Sequence, residues 1–196
     1  MKIFITGLVF ICMYSCCKSQ SLELTDFNKE RIKLTKQSML VLGSWSAANL
    51  IFSGASAGLA EGSNKYFHQM NTIWGGINIT LAAIGYLGAK NQDGLSFAKS
   101  LQKQSSLEKT FLFNTGLDIA YIAGGFYLKE KAYNDLKNKD RYKGFGNSIV
   151  LQGSALFLFD GIMYLLHQQH GKKINKLSEK FQLTTTPNGI GCIVNI

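Results

Sequence analysis

Asp118 and Asp160 are the two residues of this 196-residue chain whose surroundings most clearly call for chemistry. Each is the lone charge in a long apolar stretch, 110–128 for the first and 147–167 for the second. If the medium around such a stretch is lipid, an ionised carboxylate costs at least about 2.5–3.5 kcal/mol on insertion scales, so each acid must be paired, protonated or turned toward water. No Lys or Arg lies inside these stretches, or inside the two uncharged ones at 37–60 and 69–89. The available partners are therefore amides, hydroxyls, His68 or His167 near a helix end, or an external cation.

Polar and small residues recur around the acids at intervals of three and four, which places them on one face of a helix. Over 69–89 the face reads Asn71, Gly75, Asn78, Ala82 and Gly85, with His68 just before it. Over 110–128 it reads Asn114, Asp118, Tyr121 and Gly125; over 37–60, Ser46, Asn49, Ser53 and Ser56; over 147–167, Gln152, Leu156, Asp160, Tyr164 and His167. The nine candidate site residues are thus Asn49, His68, Asn71, Asn78, Asn114, Asp118, Gln152, Asp160 and His167, facing a shared interior. Two uses fit them. Amides and hydroxyls bond helix to helix while small residues let backbones approach, as Gly54 and Gly58, and Gly116, Ala120 and Gly124, are spaced to do. In the other use, Asp118 and Asp160 titrate or coordinate in a pathway for a proton, ion or small polar solute. His68, Asp118, Asp160 and His167 have donor atoms for a metal, but their spacing matches no metal motif, and no metal or cofactor is expected.

Few recognised catalytic patterns are met: there is no Gly-rich phosphate loop, no HExxH and no CxxC. The expectation is a protein that is not an enzyme. A net charge of +9 would suit nucleic acid, but the basic residues sit in the connections between apolar stretches, where they meet lipid headgroups or fix topology, so no nucleic-acid partner is expected.

The elements that position the stripes follow from length. At 1.5 Å per residue, a helix of about 20 residues crosses a hydrocarbon core of about 30 Å, and a helix of a water-soluble bundle would carry a charged outer face that these stretches lack. Short connections make neighbours antiparallel. The reading is an all-α membrane protein, an antiparallel up-down four-helix transmembrane bundle over 37–171. Before it, 1–21 reads as a signal peptide, with cleavage, lipidation at Cys16 and retention as an anchor all open, and 22–36 as a polar, amphipathic segment at the surface. After it, 172–196 is a basic and then β-like tail, in which Pro187-Asn188-Gly189 between alternating apolar residues predicts a hairpin. Basic residues favour cytoplasmic termini, whereas a cleaved signal favours external ones; orientation stays open.

The combination Gly43-Ser44-Trp45-Ser46-Ala47-Ala48-Asn49, Phe67-His68-Gln69-Met70-Asn71 with Trp74, and Asn114-Thr115-Gly116-Leu117-Asp118 with Tyr121 and Gly124-Gly125 resembles a domain-of-unknown-function family of small polytopic bacterial membrane proteins, mostly from the Bacteroidota. Gly144-Phe145-Gly146 and Phe159-Asp160 are similar to its last span, so the resemblance covers about residues 30–170. It implies a fold and an envelope location but no activity. The resulting expectation is a multi-pass protein of the bacterial inner membrane, a scaffold or partner-binding bundle, with a small transporter or channel subunit as the alternative. Its partners are the lipid bilayer and a second copy or another membrane helix.

Overall fold

The computed structural model describes the backbone of residues 2–90, 94–186 and 189–194, and side chains within 22–90 and 94–176. The fold is all-α in its body, built from α1 (Lys2–Ala57), α2 (Gly62–Gly88), α3 (Phe97–Asn134) and α4 (Lys139–Lys180). In the tail, β1 (Phe181–Thr186) pairs antiparallel with β2 (Gly189–Val194), Phe181 facing Val194 and Thr186 facing Gly189. Pro187 and Asn188, expected to form the turn, lie outside the described residues, as do the side chains of 1–21 on which the signal reading rests.

Three helices outrun the uncharged stretches. With one proline in the chain and Ser96 capping α3 by accepting from the Lys99 amide at 3.4 Å, little stops propagation once a helix has started. The segment 22–36, expected at the surface, is the middle of α1 and packs inward. There the Asn28 amide donates to Ser100 Oγ at 2.9 Å, the Arg31 guanidinium donates to the Ser100 carbonyl at 2.9 Å, and the Phe27 ring stacks on His170 with centroids 4.3 Å apart. Carrying its apolar-to-polar face one more turn costs α1 nothing in backbone terms and gives Arg31 the partners a buried guanidinium requires.

Packing is close where the residues are smallest. α3 lies along α4, α1 along α2, and α2 along α4, whereas α2 and α3 scarcely touch among the described residues. A side chain at Gly75 would meet the Ser46 carbonyl at 3.1 Å and the Leu50 amide at 3.0 Å; one at Gly125 would meet the Gly146 carbonyl at 2.9 Å; one at Gly153 would meet the Asp118 carbonyl at 3.2 Å. Glycine is needed there because the neighbouring backbone occupies the place of a Cβ. Gly54, Gly58, Gly116 and Gly124, expected to make such contacts, have nothing within 4 Å. Their spacing is right, but they lie on faces turned away from the other helices.

The contact residues on α3 recur every seven positions, Gln104, Phe111, Asp118, Gly125 and Ala132, and so do Gly146, Gly153, Asp160, His167 and Ile174 on α4. A seven-residue period keeps one stripe against a partner when the pair supercoils left-handedly. The distribution of polarity is inverted relative to a water-soluble domain. Buried among the described residues are Asn28, Arg31, Asn71, Asn78, Gln104, Asp118, Gln152, Asp160 and His167, against a small apolar cluster of Leu42, Ala82 and Leu156. Outside lie Ile51 at 73 %, Leu87 at 68 %, Phe113 at 67 % and Leu158 at 63 % exposure. Two helical stretches, Leu22–Ala57 and Lys139–Lys176, are long and apolar enough to cross a membrane by length and composition.

Candidate functional site

The interior polar groups divide into two sets. The first joins α1, α2 and α4. Gln152, buried on α4, donates through Nε2 to Asn49 Oδ1 at 2.8 Å and to Asn71 Oδ1 at 2.9 Å, and its Oε1 accepts from Trp45 Nε1 at 3.2 Å. Ser148 Oγ, one turn earlier on α4, donates to the same Asn71 oxygen at 2.7 Å. An amide suits this position because it offers both donors and an acceptor, so one Gln side chain ties three helices. Further along the α1 and α2 pair, His68 Nδ1 lies 3.3 Å from Ser53 Oγ, with its ring edge-on to Phe52 and Phe67. His68 therefore lies apart from the Gln152 network and from the acids. Among the described residues no three of His, Cys, Asp and Glu are grouped to hold a metal ion.

The second set is turned toward α3. Asp118 and Asp160 meet side chain to side chain, with Asn114 against Asp160. The seven-residue period puts Asp118 on the α3 stripe and Asp160 on the α4 stripe; the Asp118 carbonyl lies beside Gly153, two turns before Asp160, and the two side chains reach toward one another across that interval. Asp118 Oδ2 and the Asn78 amide nitrogen are buried with no partner in the protein. Asn78, Asn114, Asp118 and Asp160 all line a cavity of about 650 Å³ in the gap between α2 and α3. The same cavity runs past Trp74, Leu81 and Leu107 to Arg31 and Lys103 at its far end.

His167 occupies a third place, wholly buried and stacked on Phe111 at 5.2 Å, with both ring nitrogens unpartnered. Beside it Gln104 Nε2 donates to the His167 carbonyl at 2.6 Å, leaving Gln104 Oε1 unpartnered. Polar atoms buried so deeply are ordinarily satisfied, so these mark space for water or for a ligand. At the end of the bundle, Glu30 forms an ion pair with Lys173 and lies 3.6 Å from His170 Nδ1. The Lys173 hydrogen bond holds the Glu30 carboxyl below its ordinary range, and burial pushes the His170 imidazole down.

Of the nine candidate positions, Asn49, Asn71 and Gln152 share one network, while Asn78, Asn114, Asp118 and Asp160 line one cavity; His68 and His167 stand apart from both. Sequence reasoning passed over Arg31, Gln104 and Ser148. For Gln104 the signal was the seven-residue register, which it continues one heptad before Phe111; Ser148 lies one turn before Gln152 on the same face of α4, and Arg31 carried no such signal.

The chain belongs to a family of unknown function, DUF6992, whose model matches residues 41–161. No curated protein and no solved structure matches the chain. The matched range takes in the Gln152 network and both acids, and it ends before His167.

Proposed function

We propose that this DUF6992 member is an integral membrane protein, an antiparallel up-down four-helix transmembrane bundle of the bacterial inner membrane, that acts without catalysis as a binding scaffold. The carrying observation is the inversion of polarity: buried amides, acids and an imidazole inside, with large aliphatic and aromatic side chains outside. In water that arrangement forfeits the hydrophobic contribution to folding, whereas in lipid the outward side chains are solvated and the interior hydrogen bonds and small-residue contacts hold the helices. Contact order along the chain supports the alternation of direction. Met39 lies against Gly85 and Ser46 against Gly75, so α1 ascends as α2 descends, and likewise Asp118 lies by Gly153 and Gly125 by Gly146 on α3 and α4.

In this reading the Gln152 network is the adhesive, and the cavity between α2 and α3 is the binding element. Membrane fractionation tests the medium: the full chain is expected to stay with the membrane pellet at high salt and alkaline pH, and recovery as a monomer in plain buffer would refute it.

The pairing of Asp118 with Asp160 on a cavity wall favours a second reading, a small transporter or channel subunit. Two carboxyls in contact away from water hold a proton or a cation between them, which is what ion-coupled movement requires. Asp118→Asn and Asp160→Asn preserve shape and remove titration. Proton or cation flux in vesicles made with the parent chain, lost in both variants while the fold persists, would decide for transport. Absence of flux in the parent would leave the scaffold.

A further inference from the structure

The cavity between α2 and α3 has a chemical direction. At one end it is rimmed by Arg31 of α1 and Lys103 of α3, and at the other by Asp118 and Asp160; between them its walls are aliphatic, among them Leu42, Ile77, Leu81 and Leu107. α2 and α3 scarcely pack on one another except where the Trp74 and Tyr121 rings meet edge to face at 5.0 Å, so the slot opens sideways between that contact and the basic end. Its volume of about 650 Å³ lies within the range of small-ligand sites.

Depth adds a second constraint. Lys103 precedes the apolar stretch of α3, and Ala89, also at the basic end, closes the uncharged stretch of α2. The basic end therefore lies where the apolar belts of both helices stop, which is headgroup level for a helix in a bilayer. Along α3 the rise from Lys103 to Asp118 is about 22 Å, so the acids lie well inside a hydrocarbon core of about 30 Å.

We infer that this slot holds one anionic phospholipid of the surrounding bilayer, entering sideways between α2 and α3, with its phosphate on Lys103 and an acyl chain along the aliphatic wall. The inference rests on the membrane reading above and names the class of molecule bound. The Lys103 ammonium supplies a charge-assisted donor for a phosphate diester, and the buried Arg31, whose guanidinium donates to the Ser100 carbonyl, adds positive charge beside it. The acids at the inner end repel a phosphate, so only one direction of insertion satisfies both ends. Gly88 lies on the wall near the basic end with nothing within 4 Å of a built Cβ, so the mouth is open and a side chain added there fills the slot without touching another helix.

Trp74 lines the slot and reports on it. The full chain is reconstituted in phosphatidylcholine vesicles carrying a tenth of their lipid as chain-brominated phosphatidylglycerol or chain-brominated phosphatidylcholine, and tryptophan quenching is compared. Quenching by the phosphatidylglycerol at least twofold above that by the phosphatidylcholine is expected, with the excess lost in Trp74→Phe, Lys103→Gln and Gly88→Phe, and unchanged by added inorganic phosphate. Equal quenching by the two lipids in the parent chain overturns the inference, whatever the variants do. An excess that inorganic phosphate abolishes overturns it in favour of a soluble anion site. Failure of the chain to float with the vesicles refutes the membrane reading instead, so the two failures are told apart.

Discussion

Replacing Gly144 with alanine should loosen the bundle, and the structure sets how much. Position 144 lies on α4 where it crosses the start of α2, and a Cβ there would collide with the Ser63 carbonyl and stand 2.8 Å from the Phe67 amide nitrogen and 2.7 Å from Tyr66 Cβ. The obstruction is mostly backbone, which cannot swing aside. Reaching ordinary contact means moving the two helices apart by about 0.6 Å or more, against a usual cost of about 1–3 kcal/mol for overpacking. The next turn suffers too, because Ser148 donates to Asn71 at 2.7 Å and Gln152 to the same oxygen at 2.9 Å, and neither bond survives that displacement at good geometry. Alanine's better helix propensity, about 1 kcal/mol over glycine, works the other way. Gly124→Ala on α3 isolates it, since nothing lies within 4 Å of a Cβ at 124. In reversible unfolding of the purified chain in mixed micelles, Gly144→Ala should fall below Gly124→Ala by about 1–3 kcal/mol. Equal stability of the two variants would refute the close approach of α2 and α4 and, with it, the register of the Asn71 bonds.

Three further outcomes follow from the same geometry. Asn71→Leu and Gln152→Leu should each destabilise, and the double variant should lose less than the sum, with a coupling of about 0.6–1.7 kcal/mol in a double-mutant cycle; strict additivity would mean the two side chains do not bond. Ile119→Lys places a charge at the middle of the apolar stretch of α3, where Ile119 is 56 % exposed on the outer surface. In lipid this should cost about 2.5–3.5 kcal/mol and reduce membrane insertion, whereas in water it would be near neutral, so unchanged insertion would count against the membrane. At the bundle end, His170 sits below its ordinary pKa of 6.5 because of burial, so the unfolded chain takes up that proton first and stability declines as pH falls below about 6.5. The Glu30 carboxyl, held below 4.5 by Lys173, adds a second decline under pH 4.5 as it protonates. His170→Gln should reduce the first decline and Glu30→Gln the second in unfolding followed across pH; identical profiles for parent and variants would show that the contact with α1 carries no stability.

The helices were legible from length and apolar composition, and the amide and acid stripes from their spacing. Counting depth from opposite ends of adjacent helices put Asp118 and Asp160 at one height, whereas the Asp118 carbonyl lies beside Gly153, two turns from Asp160. Membership of a domain-of-unknown-function family was legible too, and the family is DUF6992. What escaped was everything that depends on the azimuth of one helix relative to its neighbours. Gly54, Gly58, Gly116 and Gly124 have the spacing of a contact motif and face outward, while Gly125, Gly144 and Gly146 make the contacts. Spacing defines a stripe but does not say which of two small-residue stripes meets a partner. The inward packing of residues 22–36 escaped for a related reason: Arg31 in a polar segment reads as solvated until Ser100 on a helix remote in sequence is found to accept its proton.

The division of the interior into a satisfied and an unsatisfied half bears most directly on what the bundle does. If polar groups served adhesion alone, all of them would be bonded, since a half-satisfied network in a low dielectric is worse than an apolar contact of the same shape. Around Gln152 that condition holds: the side chain donates to Asn49 and Asn71 and accepts from Trp45. On the α3 side it fails, because Asn78, Asp118, Gln104 and His167 each keep a buried atom without a partner. Two of those residues, Asn78 and Asp118, line the cavity in the gap between α2 and α3, while Gln104 and His167 lie at the contact of α3 with α4. Deleting that half should therefore cost the fold little and the occupant much. Asn78→Leu should leave unfolding near the parent value or raise it, because its buried unpaired amide nitrogen disappears, whereas Gln152→Leu should lower it. A loss of stability in Asn78→Leu as large as in Gln152→Leu would return Asn78 to the role of simple adhesive.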